Sequence, residues 1–345
     1  MKTAFTAILA GAALLSSSLM AQEASDDAEP AAAAEAQAGA DQAESEDGAA
    51  TEDSAAQDWF PSTYGADDEL GAANLLSPEL VLKAAELVTE GKAYPLGIPV
   101  GANTPGFGVR ELDINIFMPG QEGGSSIGPN KMTYVDDVIM GWVGLGSQID
   151  GLGHLGIDNV FYNGNTPADY VTTGGLTKMG IHNIPPIVTR GLVIDVAGAR
   201  GVDVMEAGEY ISLDEIQSIL EDSDLTVEEG DVVLLHTGWL SLIESEPERF
   251  AEGEPGIDRV AAAWLAEQGA IAVGADTWGL DAVPGPEGTA FSAHQELLAK
   301  NGVYILENMA TQQLVDDGVT EFMFVLGQPR LEGAVQSIIN PVAIR

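Results

Sequence analysis

Apolar residues recur with helical spacing in three segments of the chain, and each segment carries its own start signal. The first begins at Ser77-Pro78, a pair that favours a helix N-terminus, and Gly91 is predicted to end it. The second begins with the capping box Ser212-Leu-Asp-Glu215. The third runs from about Asp258 to Gln268. The pattern therefore predicts three amphipathic helices.

Short apolar runs around these helices are suited to buried strands. There are five such runs: Leu192–Val196, Val232–Leu235, Ile271–Val273, Val303–Leu306 and Phe322–Leu326. Because helix-like and strand-like segments alternate, we expect an α/β domain with a mixed central sheet. No repeat and no internal linker interrupts it, so residues 58–345 are predicted to form a single globular domain.

The N-terminal part of the chain has a different composition. Lys2 precedes an uncharged apolar run from Ala4 to Met20, a layout that predicts a signal peptide over residues 1–21. Residues 22–57 are mostly Ala, Glu, Asp, Gln, Ser and Gly, which predicts a disordered acidic tether. The chain has no cysteine, which excludes disulfides and a lipoprotein anchor. We therefore expect a periplasmic or secreted protein.

The chain is strongly acidic, with 54 Asp plus Glu against 13 Lys plus Arg and a formal net charge of −41. An acidic surface repels phosphate groups, so nucleic acid and anionic membranes are not expected as partners. Adaptation to a saline habitat is the simplest explanation, because salt screens the repulsion between like charges. Sequestration of metal ions is the alternative.

The segment from Gly144 to His154 places polar residues with chemical potential among four glycines. If the segment is extended, alternate side chains share a face, so Gln148, Asp150 and His154 project to the same side. Glycines there allow tight turns and close approach of a ligand. The pattern indicates a binding or catalytic site. The alternative is a turn in which the aspartate caps the backbone and the histidine is a buried structural residue.

A second pair of candidates flanks one turn further along the chain. His294 follows Ser292, the predicted N-cap of a short helix, and the helix dipole there favours a neutral imidazole. Glu307 ends an apolar strand, which is unusual for a carboxylate unless a cation meets it. The alternatives are a surface or capping histidine and a solvated glutamate.

Seven segments together carry a resemblance to a known family. They are Tyr64–Asn74, Gly146–His154, Arg190–Asp195, His236–Trp239, Gly274–Trp278, His294 and Glu307–Asn308. From about Trp59 to Pro341 the chain resembles the cyclase family of metal-dependent hydrolases, which includes kynurenine formamidase and isatin hydrolase. The resemblance implies a swivelling β/β/α domain that assembles into homodimers or homotetramers.

The family motif is H-x-G-T-H-x-D-x-x-x-H, in which the two leading histidines and the aspartate bind metal and the last histidine transfers protons. A later His and Glu complete the family site. The resemblance thus implies that Asp150 binds metal, that His154 is the catalytic acid/base, and that His294 and Glu307 are further ligands.

This chain departs from the family motif at two positions, where Gly144 and Gln148 replace the leading histidines. Glycine has no ligating side chain, and an amide oxygen is a weak donor compared with imidazole. We therefore expect one divalent metal ion, Mn²⁺ or Zn²⁺, held by Asp150, His294 and Glu307. Gln148 would be a fourth ligand or an outer hydrogen-bonding partner.

These assignments predict a hydrolase in which metal-activated water attacks an amide, cyclic amide or lactone bond and His154 shuttles the proton. Trp142, Phe161 and Tyr162 border the motif and are predicted to contact a small aromatic or cyclic substrate, with core packing as the alternative. His182 and His236 are interpreted as structural. Two other functions remain open: a non-catalytic binding protein on a degenerate hydrolase scaffold, and a lyase or cyclase that uses the same site.

Overall fold

The structure is a computed structural model that describes residues 59–118, 126–286 and 289–345. The predicted signal peptide and acidic tether lie outside the described residues, so these two assignments and the predicted export stay predictions. No described helix is long and apolar enough to cross a membrane.

The described residues form fifteen strands, numbered in chain order. They are β1 Ala93–Pro95, β2 Leu112–Phe117, β3 Asp136–Gly141, β4 Gln148–Asp150, β5 Val171–Thr172, β6 Gly175–Leu176, β7 Ile187–Asp195, β8 Tyr210–Ile211, β9 Val232–His236, β10 Gly256–Ile257, β11 Ala272–Ala275, β12 Tyr304–Glu307, β13 Glu321–Leu326, β14 Gln336–Ile338 and β15 Val342–Ile344.

Nine of these strands form one sheet in the order β1-β15-β13-β7-β9-β11-β12-β4-β14. The strands β7, β9, β11 and β12 at its centre are parallel, and the flanking strands are antiparallel to their neighbours. Parallel strands need crossover connections, which is why helices separate them along the chain. The predicted α/β class with a mixed sheet is confirmed. The pairs β2–β3, β5–β6 and β8–β10 form separate two-stranded ribbons.

The described α-helices are mostly short and connect or cover the strands. They are α1 Pro78–Ala85, α2 Pro167–Tyr170, α3 Val196–Arg200, α4 Leu213–Asp222, α5 Leu242–Ser245, α6 Pro247–Glu252, α7 Arg259–Glu267, α8 Ser292–His294 and α9 Gln312–Asp316. A π-helix, Gln295–Asn301, continues from α8. Single 3₁₀ turns lie at Gly71–Leu75, Tyr162–Gly164, Ile181–Asn183 and Trp239–Ser241.

The three helices predicted from apolar spacing are confirmed as α1, α4 and α7. Each begins where its capping residue predicts, because the side chains of Ser77, Ser212 and Asp258 accept hydrogen bonds from backbone N–H groups in the first turn. The helix α1 ends at Ala85, earlier than the predicted end at Gly91. Its last predicted turn is replaced by hydrogen-bonded turns over residues 86–88.

We expect Asp258→Ala to lower the free energy of unfolding by about 1 kcal/mol, because the carboxylate then no longer accepts from the Ala261 N–H at 2.7 Å. Denaturant titration measures this difference. Asp222→Ala, at the exposed end of α4, is the matched control and should leave the free energy of unfolding nearly unchanged. Equal effects of the two substitutions would show that the cap does not stabilise α7.

All five strands predicted from apolar runs are present, with shifts at their ends. The largest shift is in β7, which begins at Ile187 rather than Leu192 and contains the buried Arg190. An arginine in a sequence argues against a buried strand, which is why the predicted strand began after Arg190. In the structure the Arg190 guanidinium donates two hydrogen bonds to Asp231, at 2.9 and 2.6 Å. Arg190 can be buried in β7 because its charge is paired with Asp231 in good hydrogen-bond geometry.

Candidate metal centre

The candidate site is assembled by the pairing register of β4, which lies between β12 and β14. Gln148 is opposite Glu307 of β12, and Asp150 is opposite Gln336 of β14. Residues 148 and 150 share one face of β4, and directly opposed residues point to the same face of a sheet. Four polar side chains from three neighbouring strands therefore meet on one side of the sheet.

The strand β4 ends at Asp150, so the motif is not extended as far as His154. The prediction that alternation along an extended strand places His154 on the same face as Asp150 is therefore wrong. The chain turns at Gly151, whose carbonyl accepts from the backbone N–H of His154 at 3.0 Å. A side chain at position 151 would lie 2.7 Å from the carbonyl oxygen of Val335, so glycine is needed for this close approach. The turn still brings His154 Nε2 to 3.7 Å from Asp150 Oδ2.

The N-cap of α8 is Phe291 and Ser292 is the first residue of the helix, so the prediction that Ser292 caps it is wrong. His294 is held instead by Asp281. The Asp281 carboxylate accepts from the backbone N–H groups of Ala293 and His294, at 2.7 and 3.1 Å, and pairs with His294 Nδ1 at 2.7 Å. Because a carboxylate only accepts, Nδ1 carries the hydrogen. The other ring nitrogen, Nε2, lies 3.3 Å from Glu307 Oε1 and 3.5 Å from Asp150 Oδ2.

Asp150, His294 and Glu307 are buried and each offers an atom within 4.8 Å of the other two, which is a geometry that can hold a metal ion. Asp150 Oδ2 has no hydrogen-bond partner among the described residues. Leaving a buried carboxylate oxygen without a donor is costly, and a bound cation would remove that cost. An imidazole and two carboxylates suit a divalent metal, so the residues present fit such an ion.

The carboxylates and histidines of the cluster shift one another's pKa values. Burial opposes ionisation of Asp150, but His154, His294 and the Gln336 amide outweigh it and lower the pKa of Asp150 to about 2. Burial and the Asp150 charge raise the pKa of Glu307 to about 8. Burial lowers the pKa of His294, but the nearby carboxylates of Asp150, Asp281 and Glu307 outweigh burial and hold this pKa well above its usual value. The carboxylates therefore affect the pKa of His294 more than the helix dipole does, and the expected neutral imidazole is not found.

His154 has the opposite electrostatic balance. Burial lowers its pKa below the ordinary value of histidine, although the nearby Asp150 carboxylate opposes this effect. His154 is therefore neutral at pH 7, and a neutral ring nitrogen accepts a proton.

Gln148 lies between the carboxylates of Asp150 and Glu307 and donates to both. Its Nε2 donates to Asp150 Oδ1 at 3.2 Å and to Glu307 Oε2. Of the two roles that the sequence left open, fourth ligand or outer partner, this arrangement favours the outer partner.

A cavity of about 100 Å³ opens beside the cluster. Besides His154, His294 and Glu307, its lining includes Phe107, Trp278, Phe291 and Arg110. The ring of Phe107 stacks on Trp278 with centroids 5.0 Å apart, and Phe291 meets Phe107 edge to face at 6.1 Å. Arg110 Nη1 donates to the carbonyl of Gly144 at 3.1 Å. The site therefore has an apolar aromatic wall and one cation beside its buried carboxylates.

The aromatic residues predicted to contact substrate lie elsewhere. Trp142 is half-exposed just after β3, and Phe161 packs against Tyr170 with centroids 5.6 Å apart. Tyr162 is buried and its hydroxyl pairs with Ser62 and Asp68. None of the three lines the described cavity beside the cluster. Their role as substrate contacts stays a prediction.

The two histidines interpreted as structural are also outside the cavity lining. His236 is buried, with Nδ1 2.8 Å from Thr311 Oγ1 and 3.3 Å from Asp276 Oδ2. His182 Nδ1 accepts from the backbone N–H of Gly333 at 3.3 Å.

Sequence reasoning missed several residues around the cluster. Asp281 and Gln336 contact the candidate ligands, and Phe107 and Arg110 line the cavity. Asp281 lies 13 positions before His294, so local spacing does not connect the two residues. Gln336 lies 186 positions from Asp150, and no motif in the sequence marks it.

We expect Asp281→Ala to weaken metal binding by about 10- to 100-fold, because the carboxylate that orients a ligating imidazole contributes to affinity by that amount. Calorimetric titration with Mn²⁺ or Zn²⁺ measures the change. Asp316→Ala, an exposed aspartate on α9, is the control. Unchanged affinity in Asp281→Ala would mean that His294 is positioned by other contacts.

Comparison with known proteins identifies the family of this chain. Residues 94–282, more than half of the chain, match the family model Cyclase, described as "Putative cyclase". The chain belongs to the cyclase family. The family resemblance inferred from the motifs is thus confirmed. No protein with curated annotation shows significant sequence similarity.

Solved structures with the same fold include other members of the cyclase family. The chain is similar to the crystal structure of a novel cyclase, with 29% identity and a TM-score of 0.74 over 82% of this chain and 96% of that one. An isatin hydrolase bound to the product analogue thioisatinate is 18% identical, with a TM-score of 0.56. The match covers 78% of this chain and 98% of the isatin hydrolase. Isatin hydrolase A from Ralstonia solanacearum is also 18% identical, with a TM-score of 0.56. The match covers 78% of this chain and 97% of that enzyme. The two isatin hydrolases show a shared fold.

Proposed function

We propose that this member of the cyclase family is a metal-dependent hydrolase of amide, cyclic amide or lactone bonds in a small aromatic or cyclic substrate. The observation that carries the proposal is the buried group of Asp150, His294 and Glu307, with the unpartnered Asp150 Oδ2 facing both His294 and His154. A purely structural role does not explain three buried titratable side chains around one unsatisfied oxygen.

Asp150 Oδ2, His294 Nε2 and a Glu307 oxygen would hold the ion, Mn²⁺ or Zn²⁺. Such an ion supplies Lewis-acid chemistry and makes water more acidic. Asp281 fixes the orientation of the His294 ring by holding Nδ1–H. Gln148 fixes the two carboxylates relative to one another through its amide hydrogens. The ligand atoms are thus positioned before substrate binds.

His154 is suited to transfer the proton in the reaction. His154 lines the cavity, with Nε2 3.7 Å from Asp150 Oδ2 and 3.5 Å from Gln336 Nε2, and its lowered pKa leaves the ring neutral and able to accept a proton from water at pH 7. The same ring then returns the proton to the leaving nitrogen or oxygen when the carbon–nitrogen or carbon–oxygen bond breaks.

The cavity lining supports the proposed substrate class. Phe107, Trp278 and Phe291 offer faces and edges against which a flat ring packs. Hydrolysis of an amide or lactone yields a carboxylate, and Arg110 places a positive charge at the same cavity. The isatin hydrolases that share this fold act on isatin, a cyclic amide fused to an aromatic ring.

The proposal is tested with purified protein freed of metal by chelation and then reloaded with Mn²⁺ or Zn²⁺. We expect hydrolysis of at least one compound in a panel of aryl formamides, cyclic imides, isatin and aryl lactones, with activity lost on chelation and restored on reloading. Binding of panel compounds without turnover would favour the non-catalytic binding protein. A product formed by elimination or ring closure, without uptake of water, would favour the lyase or cyclase.

The ribbon of β2 and β3 carries an exposed apolar face. Ile114, Ile116 and Ile139 lie on the same side and are each about half exposed or more. A two-stranded ribbon is marginally stable in water, so such a face needs a partner. We propose that a second copy of this chain covers it, in agreement with the dimers or tetramers that the family resemblance implies.

Light scattering after gel filtration tests the assembly. We expect a dimer or tetramer for the unmodified protein and monomers for Ile116→Lys combined with Ile139→Lys, because two buried ammonium groups would oppose association. Leu82→Lys, on an exposed position of α1, is the control. A mass that does not change in the double variant would place the interface elsewhere.

A further inference from the structure

Gln336, a residue that no motif marks, contacts the candidate metal ligand Asp150. We propose that Gln336 blocks one oxygen of the Asp150 carboxylate, so that the site holds one divalent ion and excludes a second. This inference rests on the proposed metal site. It assigns a role to a side chain that the family motif does not contain.

Gln336 is placed against Asp150 by the sheet itself. The two residues are direct partners in the antiparallel pairing of β14 with β4, and both are buried. Gln336 Nε2 donates to Asp150 Oδ1 at 2.7 Å. The carboxylate can only accept, so the amide presents its nitrogen, and its hydrogens point towards the site where a cation would approach Oδ1.

The two oxygens of Asp150 therefore have different surroundings. Oδ1 receives amide hydrogens from both Gln336, at 2.7 Å, and Gln148, at 3.2 Å. Oδ2 receives none and faces the ring nitrogens of His294 and His154. A carboxylate that bridges two ions commonly offers one oxygen to each ion. In this site only Oδ2 is available, because two donors with partial positive charge occupy the other oxygen.

The missing side chain at position 144 makes room for this arrangement. A Cβ atom on Gly144 would lie 2.5 Å from Gln336 Oε1 and 2.8 Å from its Cδ. A side chain at 144 would therefore have to displace the Gln336 amide from its observed position.

The experiment counts ions bound to purified protein loaded with excess Mn²⁺, or separately Zn²⁺, and then passed through gel filtration. We expect about one ion per chain in the unmodified protein. Gln336→Glu keeps the length of the side chain but exchanges its two amide hydrogens for an acceptor oxygen. We expect this variant to bind a second ion, so that the count rises from one to two.

Two further variants isolate the cause. Gln336→Leu removes one amide without adding a ligand. Its count should stay at one, because Gln148 still donates to Asp150 Oδ1 and no new oxygen is present to bind a second ion. Gln312→Glu adds a carboxylate on the exposed surface of α9, and it should also bind one ion. If Gln336→Glu does not fold, Gly144→His combined with Gln336→Gly tests the same exclusion, because the imidazole takes the space of the amide. This double variant should bind two ions.

A count of two in the unmodified protein would overturn the proposal. So would a count of one in every folded variant that places an acceptor at 336 or an imidazole at 144. The ion count is measured without substrate, so it is independent of the proposed activity. If no hydrolysis is found while the counts follow the prediction, the metal assignment holds and the proposed function fails.

Discussion

Replacing Glu307 by Gln is expected to lower the affinity for Mn²⁺ or Zn²⁺ by more than about 100-fold, because loss of even an outer partner of a metal ligand typically costs 10- to 100-fold. The variant also loses one of the two carboxylates that neutralise the ion in a buried site. Calorimetric titration of the metal-free protein measures the affinity, and hydrolytic activity should fall with it.

The matched comparison for this variant is Gln148→Ala. Gln148 donates to Asp150 and Glu307 but does not supply a ligand atom in this arrangement, so its loss should weaken metal binding less than the loss of Glu307. The opposite order would mean that the primary ligands have been misassigned. Glu252→Gln, at the exposed end of α6, controls for the general effect of removing one negative charge.

Replacing His154 by Ala is expected to reduce turnover by about 10²- to 10⁴-fold, the range typical of general acid–base catalysis, while bound metal and fold stay intact. His154 is not one of the three clustered ligand residues, although its Nε2 is only 3.7 Å from Asp150 Oδ2. Turnover is measured on a substrate found in the hydrolysis panel, together with metal content and circular dichroism.

His182→Ala removes an imidazole outside the site and is the control for the His154 variant. Loss of metal from His154→Ala would make His154 a ligand and leave the proton-transfer role unassigned. Unchanged turnover would contradict the proposed mechanism more severely, since no other histidine both lines the cavity and stays outside the ligand cluster in the described residues.

Sequence patterns predicted helices and strands well where the interactions that start or end the element lie within a few residues of it. The side chains of Ser77, Ser212 and Asp258 cap helices within three residues of their own position, so the starts of α1, α4 and α7 follow from short segments. The apolar runs likewise identified β9 and β13. The strand β7 was predicted too short because the burial of Arg190 depends on Asp231, a partner 41 positions away.

The candidate site was predictable in part for a similar reason. Asp150, His154, His294 and Glu307 stand out as polar residues in apolar or glycine-rich surroundings, and the family resemblance implied that they act together. Gln336 and Asp281 do not stand out, because glutamine and aspartate are ordinary in loops and at strand ends. Their roles appear only when β14 pairs with β4 and when the Asp281 carboxylate meets the first turn of α8.

The sequence by itself determined the α/β class through periodicity and capping. Its resemblance to a family implied the three residues that can bind a metal ion. Only the tertiary structure decided which oxygen of Asp150 is free, which group orients His294, and which aromatic residues line the cavity. The physical reason is that hydrogen-bond satisfaction and burial are properties of pairs of residues distant in the chain. A linear pattern records each residue's capacity to donate or accept, and the fold alone determines which partner it meets.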